Sequence, residues 1–158
     1  MLTDVQALVA ATDGRYASDQ ELIFLQQYLG SVSTRLRAYQ KIQRAEQQIV
    51  GQVMARLKAS NPNIFGVGGQ DLAAKWQRDT VRVLRYGAAA LLLDDEEWFK
   101  DNLLLWFQTI MQAFGAQESC NLTYAAMQEV MAQHLNGEEL RLILPILELS
   151  RTTLGKPV

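Results

Sequence analysis

Hydrophobic residues recur at spacings of three and four positions along nearly the whole chain, without alternating β-branched runs. That spacing places residues on one face of an α-helix, whereas a strand needs an alternation of two. The pattern therefore predicts an all-α protein. The longest predicted helix covers about residues 33–59. Its inward face would consist of Leu36, Tyr39, Ile42, Ile49, Val53 and Leu57.

Capping residues and glycines predict where the helices begin and end. Thr3 is a candidate cap for a first short helix that ends at Asp13-Gly14. Ser18-Asp19-Gln20-Glu21 has the capping-box pattern and would open a second helix, which Gly30 would close. The remaining predicted helices cover about 71–93, 94–115 with an Asp94-Asp95 cap, a segment from a Ser119 cap to Gly137, and a last segment in which Pro145 predicts a kink or a break.

Composition and charge narrow the function. The 158-residue chain has a formal net charge of -2, which argues against a general nucleic-acid binder. Its single cysteine, Cys120, excludes an internal disulfide and a multi-cysteine metal site. The sequence shows neither a secretory leader pattern nor an apolar run long enough to cross a bilayer. We therefore expect a soluble cytoplasmic protein with no nucleic-acid partner and no transmembrane segment.

Enzymatic or haem chemistry has little basis in the sequence. The one histidine, His134, lies late in a helix, and no serine or cysteine stands in a recognisable nucleophile motif. A haem-binding globin needs an axial ligand, usually a proximal histidine, and His134 lies well past the position where a globin places it. We therefore predict that the protein is not an enzyme and does not bind haem in the globin manner.

The helix predicted over 71–93 carries the most distinctive pattern. One face is basic and an adjacent face is mixed, with Lys75, Arg78, Arg82 and Arg85 on the first and Trp76, Asp79, Val83 and Tyr86 on the second. One interpretation is a solvated face beside a core face. The other is a site for a planar organic acid. There, arginine would pair with carboxylates, Asp79 would accept hydrogen bonds from ring N–H groups, and Trp76 would stack on the flat surface.

This helix resembles the central helix of the phycobiliproteins, above all their β-type subunits. The matching residues keep the family's order and spacing without a gap, and they are Arg78-Asp79, Leu84-Arg85-Tyr86, Ala90-Leu91-Leu92 and Asp95. The resemblance extends along nearly the whole chain, through Gly14-Arg15-Tyr16-Ala17-Ser18, Glu21-Leu22, Arg35-Leu36, Ile42, Ile49-Val50, Pro62 and Phe114-Gly115.

The resemblance implies a fold and a pigment. The fold is one all-α, phycobiliprotein-type domain over residues 1–158, with a globin-like core at 31–158 and two short helices at 1–30 that pair subunits. In the family, such pairs build light-harvesting rods and cores, and the pigment is a linear tetrapyrrole, or bilin. The implied location is the cytoplasm, in association with phycobilisomes on the thylakoid surface.

The resemblance also implies a bilin site on the same helix. The family's arginine contacts a bilin propionate and its aspartate holds the inner pyrrole nitrogens, which correspond to Arg78 and Asp79. With Trp76, Lys75 and Arg82 these form the predicted bilin-binding set. The family's thioether cysteine stands two residues before the Arg-Asp pair, where this chain has Trp76. Because tryptophan cannot form the thioether, we expect non-covalent phycocyanobilin or biliverdin, or no pigment.

A second implied site is the contact between subunits. The family has an aspartate three residues before the glycine of the Gly14-Arg15 motif, and it pairs across the interface with the arginine that corresponds to Arg85. Here that position is Ala11, and Asp13 is a candidate substitute. The predicted interface therefore consists of Arg85, Asp13, Arg15 and Tyr16. The predicted partner is a second copy or another phycobiliprotein-like subunit.

Alternative functions remain open at this point. The first is non-covalent bilin binding, as a carrier or accessory protein in bilin biosynthesis, handover or phycobilisome function. The second is a pigment-free protein-interaction module, in which Trp76 fills the old pocket. It is motivated by the missing cysteine and by a segment between Gly69 and Arg78 about four residues shorter than is typical. A bilin-processing enzyme ranks last because no acid–base pair is apparent. Cys120 is interpreted as a small structural residue.

Overall fold

The computed structural model describes residues 1–67 and 70–156. Gly69, from which the shortened segment is measured, lies outside them. The helices are α1 (Leu2–Ala11), α2 (Ile23–Ser60), α3 (Ala73–Leu93), α4 (Glu96–Phe99), α5 (Leu105–Ala113), α6 (Gln117–Met131) and α7 (Gly137–Leu154), and a π-helical segment, Lys100–Leu104, joins α4 to α5. Two short antiparallel strands, β1 (Gly66–Val67) and β2 (Gln70–Asp71), precede α3. The all-α prediction is confirmed, and the strand pair is an addition to it.

The predicted helix end at Gly30 is wrong. Helix α2 runs without interruption for 38 residues from Ile23 to Ser60, so the predicted second and third helices are one. An interior glycine costs a helix about 1 kcal/mol relative to alanine. Helix α2 tolerates this cost because Ile42, Ile49 and Val53 bury an apolar face against the rest of the protein. The separate helices at 1–30 therefore reduce to α1 alone.

The capping box before α2 forms, although it does not begin the helix. The Ser18 N–H donates to the Glu21 carboxylate at 2.8 Å, and the Glu21 N–H donates back to the Ser18 hydroxyl at 3.4 Å. These bonds close a turn over 18–22, and α2 begins at Ile23. The predicted capping box is therefore present, but it closes a turn that precedes the helix.

Helix α1 is held by polar contacts, since it has no buried residue. The prediction that Thr3 caps α1 is wrong: the cap position is Met1, and the Thr3 N–H and hydroxyl each donate to the Asp95 carboxylate at 2.8 Å. Asp95 also accepts a hydrogen bond from the Trp98 N–H at 2.9 Å, which confirms it as the cap of α4. Burial alone would raise the pKa of Asp95, but these hydrogen bonds lower it below its ordinary value.

The core lies where α2, α3, α6 and α7 pack together. On α2, the predicted inward residues Ile42, Ile49, Val53 and Leu57 are buried, whereas Leu36 is 44% exposed and was assigned wrongly. One predicted helix boundary also changes. Helix α6 begins at Gln117, so Ser119 lies inside it and caps nothing.

Helix α7 begins at Gly137, with Asn136 as its cap in a capping box with Glu139. Pro145, which predicted a kink or a break, lies inside α7; the helix continues to Leu154, so it is not broken there.

Candidate functional site

A cavity of about 290 Å³ lies between α3, the end of α5 and α6. Its volume is close to the lower end of the roughly 300–1,000 Å³ that small-molecule sites occupy. Side chains from α3 form one wall, and side chains from α6 form the opposite wall. The segment after α2 and the turn between α5 and α6 close its ends. The cavity therefore depends on how helices distant in sequence pack against one another.

Trp76 is a wall of this cavity and does not fill it. Its indole N–H donates to the Thr123 hydroxyl at 2.9 Å, which fixes the ring against α6. Its ring centroid lies 4.9 Å from that of Phe65, with the planes tilted by 46°. The Thr123 hydroxyl in turn donates to the Ser119 carbonyl at 2.7 Å. The tryptophan is thus held in place while the space beside it stays open.

A lysine and an aromatic ring lie in contact at one end of the cavity. The Lys75 ammonium lies 3.7 Å from the centroid of the Phe114 ring, and both side chains line the cavity. A cation over an aromatic face is attracted by the ring's quadrupole. Because Phe114 is exposed and Lys75 half-buried, this contact lies at the solvent-facing end of the cavity. The contact places a positive charge where an anionic ligand group could meet it.

Three polar side chains, Asp79, Cys120 and Tyr124, lie together in the cavity wall. Burial raises the pKa of the Cys120 thiol to about 12, and the negative charge of Asp79 adds to that rise. Burial likewise raises the pKa of Tyr124, with smaller contributions from Cys120 and Asp79. Both groups are therefore protonated at neutral pH. A protonated thiol is a poor nucleophile, so Cys120 is not prepared for covalent chemistry.

Arg78 and Arg82 lie outside the cavity. Both are exposed on α3, and the cavity contains neither. Successive helical residues are about 100° apart, so Arg78 points well away from its neighbour Asp79. Of the predicted bilin-binding residues, the structure therefore brings Lys75, Trp76 and Asp79 together and leaves the two arginines on another face. Whether these residues bind a bilin stays a prediction.

Arg85 forms an ion pair within the chain. Its Nε and Nη2 atoms donate to the Glu46 carboxylate on α2 at 2.6 and 2.7 Å. The hydrogen bond and the charge of Glu46 raise the pKa of Arg85. The basic residues predicted on one face of α3, Lys75, Arg78, Arg82 and Arg85, form a basic stripe along the helix. This basic stripe therefore ends in an ion pair that joins α3 to α2. The role of Arg85 at a subunit interface stays a prediction.

The other predicted interface residues lie in the turn after α1. Gly14 has a φ of +79°, a conformation that glycine adopts readily. Arg15 donates to both oxygens of Glu21, at 3.0 and 2.8 Å, which ties the turn to the segment before α2. Tyr16 is 98% exposed and Asp13 is also exposed. The contact of these residues with a second subunit stays a prediction.

Sequence reasoning missed Tyr124 and assigned Cys120 a role only in packing. Cys120 is buried, as expected, but it also borders the cavity. His134 lies outside the cavity lining, with Nε2 2.8 Å from Oε1 of Gln52 on α2. Within residues 1–67 and 70–156, no group of His, Cys, Asp and Glu side chains could hold a metal ion. Across the same residues, every helix is too short or too polar to cross a membrane.

Comparison with known proteins agrees with this architecture. The sequence matches the family model described as "Phycobilisome protein" over residues 7–154, which includes α3, α6 and the cavity between them. No curated protein that was compared matches the chain. Members of the matched family have a globin-like all-α fold, normally carry bilin chromophores and typically form oligomers. The chain therefore belongs to the phycobilisome protein family.

Proposed function

We propose that this protein binds a linear tetrapyrrole non-covalently, as a carrier or accessory protein in bilin biosynthesis, handover or phycobilisome function. Phycocyanobilin and biliverdin are the candidate pigments. The observation that carries the proposal is the open cavity beside Trp76 and Asp79 on α3. Trp76 stands where the resemblance places the thioether cysteine, and Asp79 stands where it places the carboxylate for the pyrrole nitrogens.

The groups in the cavity match the chemistry of a bilin. A bilin combines flat conjugated rings, several N–H groups and two propionates. The rings of Trp76 and Phe65 offer flat apolar surfaces, and the Asp79 carboxylate accepts hydrogen bonds from N–H donors. Lys75 would meet a propionate at the cavity's exposed end. Arg78 and Arg82, also predicted as bilin-binding residues, lie outside the cavity, and the proposed binding does not depend on them.

The proposed binding is reversible because the chain offers no suitable anchor. Tryptophan at position 76 has no thiol, and Cys120 is the one cysteine of the sequence. The raised pKa of Cys120 keeps its thiol protonated, so it is a poor substitute for the missing thioether cysteine. The role is one of binding and not of catalysis, in keeping with the structural character of the family.

The test is expression of the protein in cells that also make phycocyanobilin. Absorbance of the purified protein is recorded before and after denaturation in acidic urea, followed by removal of small molecules. We expect a coloured protein that loses its pigment on denaturation. A Cys120→Ser variant should behave in the same way, because the proposal gives the thiol no covalent role. A colourless protein, or pigment that stays attached after denaturation, would overturn the proposal.

A second candidate function is the pigment-free interaction module. The observation that favours it is exposed apolar surface on α1, the turn after it and the first part of α2: Leu29 is 70% exposed, and Val9 and Tyr16 are also exposed. Such residues are typical of protein contacts when they lie together. The proposed partner is a second copy or a related subunit, and the proposed location is the phycobilisome at the thylakoid surface.

Sedimentation velocity tests this second candidate. A contact through this surface predicts a dimer of the purified protein, or a complex with a related subunit. Leu29→Asp should weaken either assembly, whereas Leu105→Asp on α5, a position of similar chemistry on another helix, should leave it intact. A protein that stays monomeric alone and with related subunits would contradict the candidate. Pigment binding in the same sample would favour the first function.

A further inference from the structure

Tyr124 has a hydroxyl group without a hydrogen-bond partner among the described residues. The residue is 2% exposed and lines the cavity from α6. Buried tyrosine hydroxyls are normally hydrogen-bonded, so an unpaired one needs an explanation. Among the described residues, Oε1 of Glu139 is the one side-chain polar atom that is fully enclosed and unpaired. The Tyr124 hydroxyl is therefore reachable, and the space next to it is the cavity.

Asp79 presents a second unpaired group to the same cavity from the opposite helix. No hydrogen bond or ion pair joins it to another described residue, in contrast to Arg85 on the same helix. Asp79 and Tyr124 line the same cavity, and the negative charge of Asp79 adds to the rise in the pKa of Tyr124 that burial causes. The phenol is a hydrogen-bond donor at neutral pH, and the carboxylate is an acceptor. A molecule that satisfies both must present an acceptor to Tyr124 and a donor to Asp79.

A lactam ring offers that combination on one edge, since its N–H and C=O groups lie side by side. In a linear tetrapyrrole the two terminal rings are lactams, whereas the inner rings have ring nitrogens and no carbonyl. The size of the cavity points the same way. At about 290 Å³ it is small for a four-ring molecule and suits one end of it.

We propose that the cavity takes a terminal lactam ring of the tetrapyrrole end-on. The lactam N–H donates to Asp79, and its carbonyl accepts a hydrogen bond from the Tyr124 hydroxyl. Trp76 then flanks the conjugated system as it leaves the cavity. This inference rests on the proposed function and adds Tyr124 as the residue that selects the lactam edge. It differs from the arrangement implied by the resemblance, in which the aspartate holds inner pyrrole nitrogens.

The test uses a dipyrrinone, a two-ring compound with one lactam, and its lactim O-methyl ether, which has lost both the N–H and the carbonyl. Quenching of tryptophan fluorescence reports binding to the purified protein. We expect the dipyrrinone to bind at least about tenfold more tightly than the ether, since the ether leaves two buried polar groups unpaired. Biliverdin is titrated in parallel, because it tests the proposed function without depending on the end-on arrangement.

Two variants separate a specific contact from general packing. Tyr124→Phe keeps the ring and removes the hydroxyl, so it should weaken dipyrrinone and biliverdin binding about threefold to tenfold, which is typical of one neutral hydrogen bond. It should leave binding of the ether unchanged. Tyr86→Phe is the matched control, because Tyr86 is partly exposed on α3 and lies outside the cavity lining. Circular dichroism and thermal unfolding verify that both variants fold.

The outcomes distinguish this inference from the function on which it rests. If biliverdin binds while the ether binds as well as the dipyrrinone and Tyr124→Phe has no effect, the end-on lactam contact is wrong and the proposed function stands. If neither biliverdin nor the dipyrrinone binds, both are wrong. Riboflavin, which also carries an N–H beside a carbonyl, is the remaining probe. Its binding in preference to both tetrapyrrole-type compounds would overturn the assignment to a bilin lactam.

Discussion

Two faces of α3 differ in what surrounds them. On one face, Trp76 and Asp79 border the cavity opposite α6. On the other, Arg78 and Arg82 extend into solvent. Asp79 and Arg78 are neighbours in sequence, yet only Asp79 faces a space in which a small molecule could leave water behind. The presence of α6 opposite Trp76 and Asp79, and not the charge of the basic residues, makes one face of α3 a candidate binding site.

The largest effect that this comparison predicts is on stability. Trp76→Ala should lower the free energy of unfolding by about 3 kcal/mol, near the lower end of the values for large aromatic residues, because Trp76 is only partly buried. The variant also loses the hydrogen bond to Thr123. Unfolding in urea measures the change.

Trp106→Ala is the matched control for Trp76→Ala. Trp106 is 54% exposed on α5, so its loss should change the free energy of unfolding by well under half as much. Equal costs for the two variants would mean that the Trp76 face of α3 is no better packed than an exposed surface. That result would contradict the claim that this face of α3 packs against α6.

The next effect is on ligand affinity. Asp79→Asn should weaken biliverdin binding about 10-fold to 100-fold, since hydrogen bonds to a charged group contribute more than neutral ones. Arg78→Gln alters the neighbouring residue on the exposed face and should change affinity by less than about threefold, as expected for a solvated charge outside the cavity. Fluorescence titration measures both. If Arg78→Gln costs as much as Asp79→Asn, the ligand lies on the exposed face instead.

A smaller effect concerns pH and contrasts Asp79 with Glu139, a buried carboxylate that forms an ion pair with Lys41. Burial alone would raise the pKa of Glu139, but the Lys41 ammonium at 2.7 Å, the Asn136 N–H and the charge of Arg37 outweigh it and hold the pKa below its ordinary value. A lowered folded-state pKa means stability that is present above the unfolded pKa of about 4.3 and is lost as the pH falls through the folded value.

Glu139→Gln should therefore make the free energy of unfolding less sensitive to acid. The measurement is urea unfolding at a series of pH values from neutral to about 3, with Glu129→Gln as the control, since Glu129 is largely exposed. Equal acid sensitivity in the Glu139 variant and the unmodified protein would show that this pair does not contribute to acid unfolding.

The smallest effect belongs to the ion pair at the end of the basic stripe. Arg85 is two-thirds exposed, and water screens much of its attraction to Glu46. Arg85→Gln should lower the melting temperature slightly at low ionic strength and hardly at all in high salt. Pigment affinity should be unchanged. A marked loss of pigment binding would extend the site across both faces of α3.

Much of the fold could be predicted from the sequence, because helical periodicity and capping are local properties. The positions of α3 and α7 and the cap at Asp95 followed from residues close together in the chain. The helix end predicted at Gly30 is wrong, since the stability of α2 at that point comes from burial elsewhere along the helix. The cap predicted at Ser119 is wrong too, because α6 begins at Gln117 without a side-chain cap.

The candidate site was only partly predictable. Lys75, Trp76 and Asp79 were identified from their spacing on one helix and from the family resemblance. Tyr124 and Cys120 enter the site because α6 packs opposite α3, and that contact joins residues more than 40 positions apart. For the same reason, the pattern on α3 could not separate Arg78 and Arg82 from the residues that face the cavity.

The most direct test of non-covalent bilin binding is the circular dichroism that the protein induces in added biliverdin. Free biliverdin interconverts between mirror-image forms, so a chiral site is needed to produce a strong visible signal. We predict a saturable signal at one biliverdin per chain, which acidic urea abolishes because it releases the pigment. The signal should be weakened in Asp79→Asn and retained in Arg78→Gln. No induced signal at saturating biliverdin would contradict it, as would pigment that remains attached after denaturation.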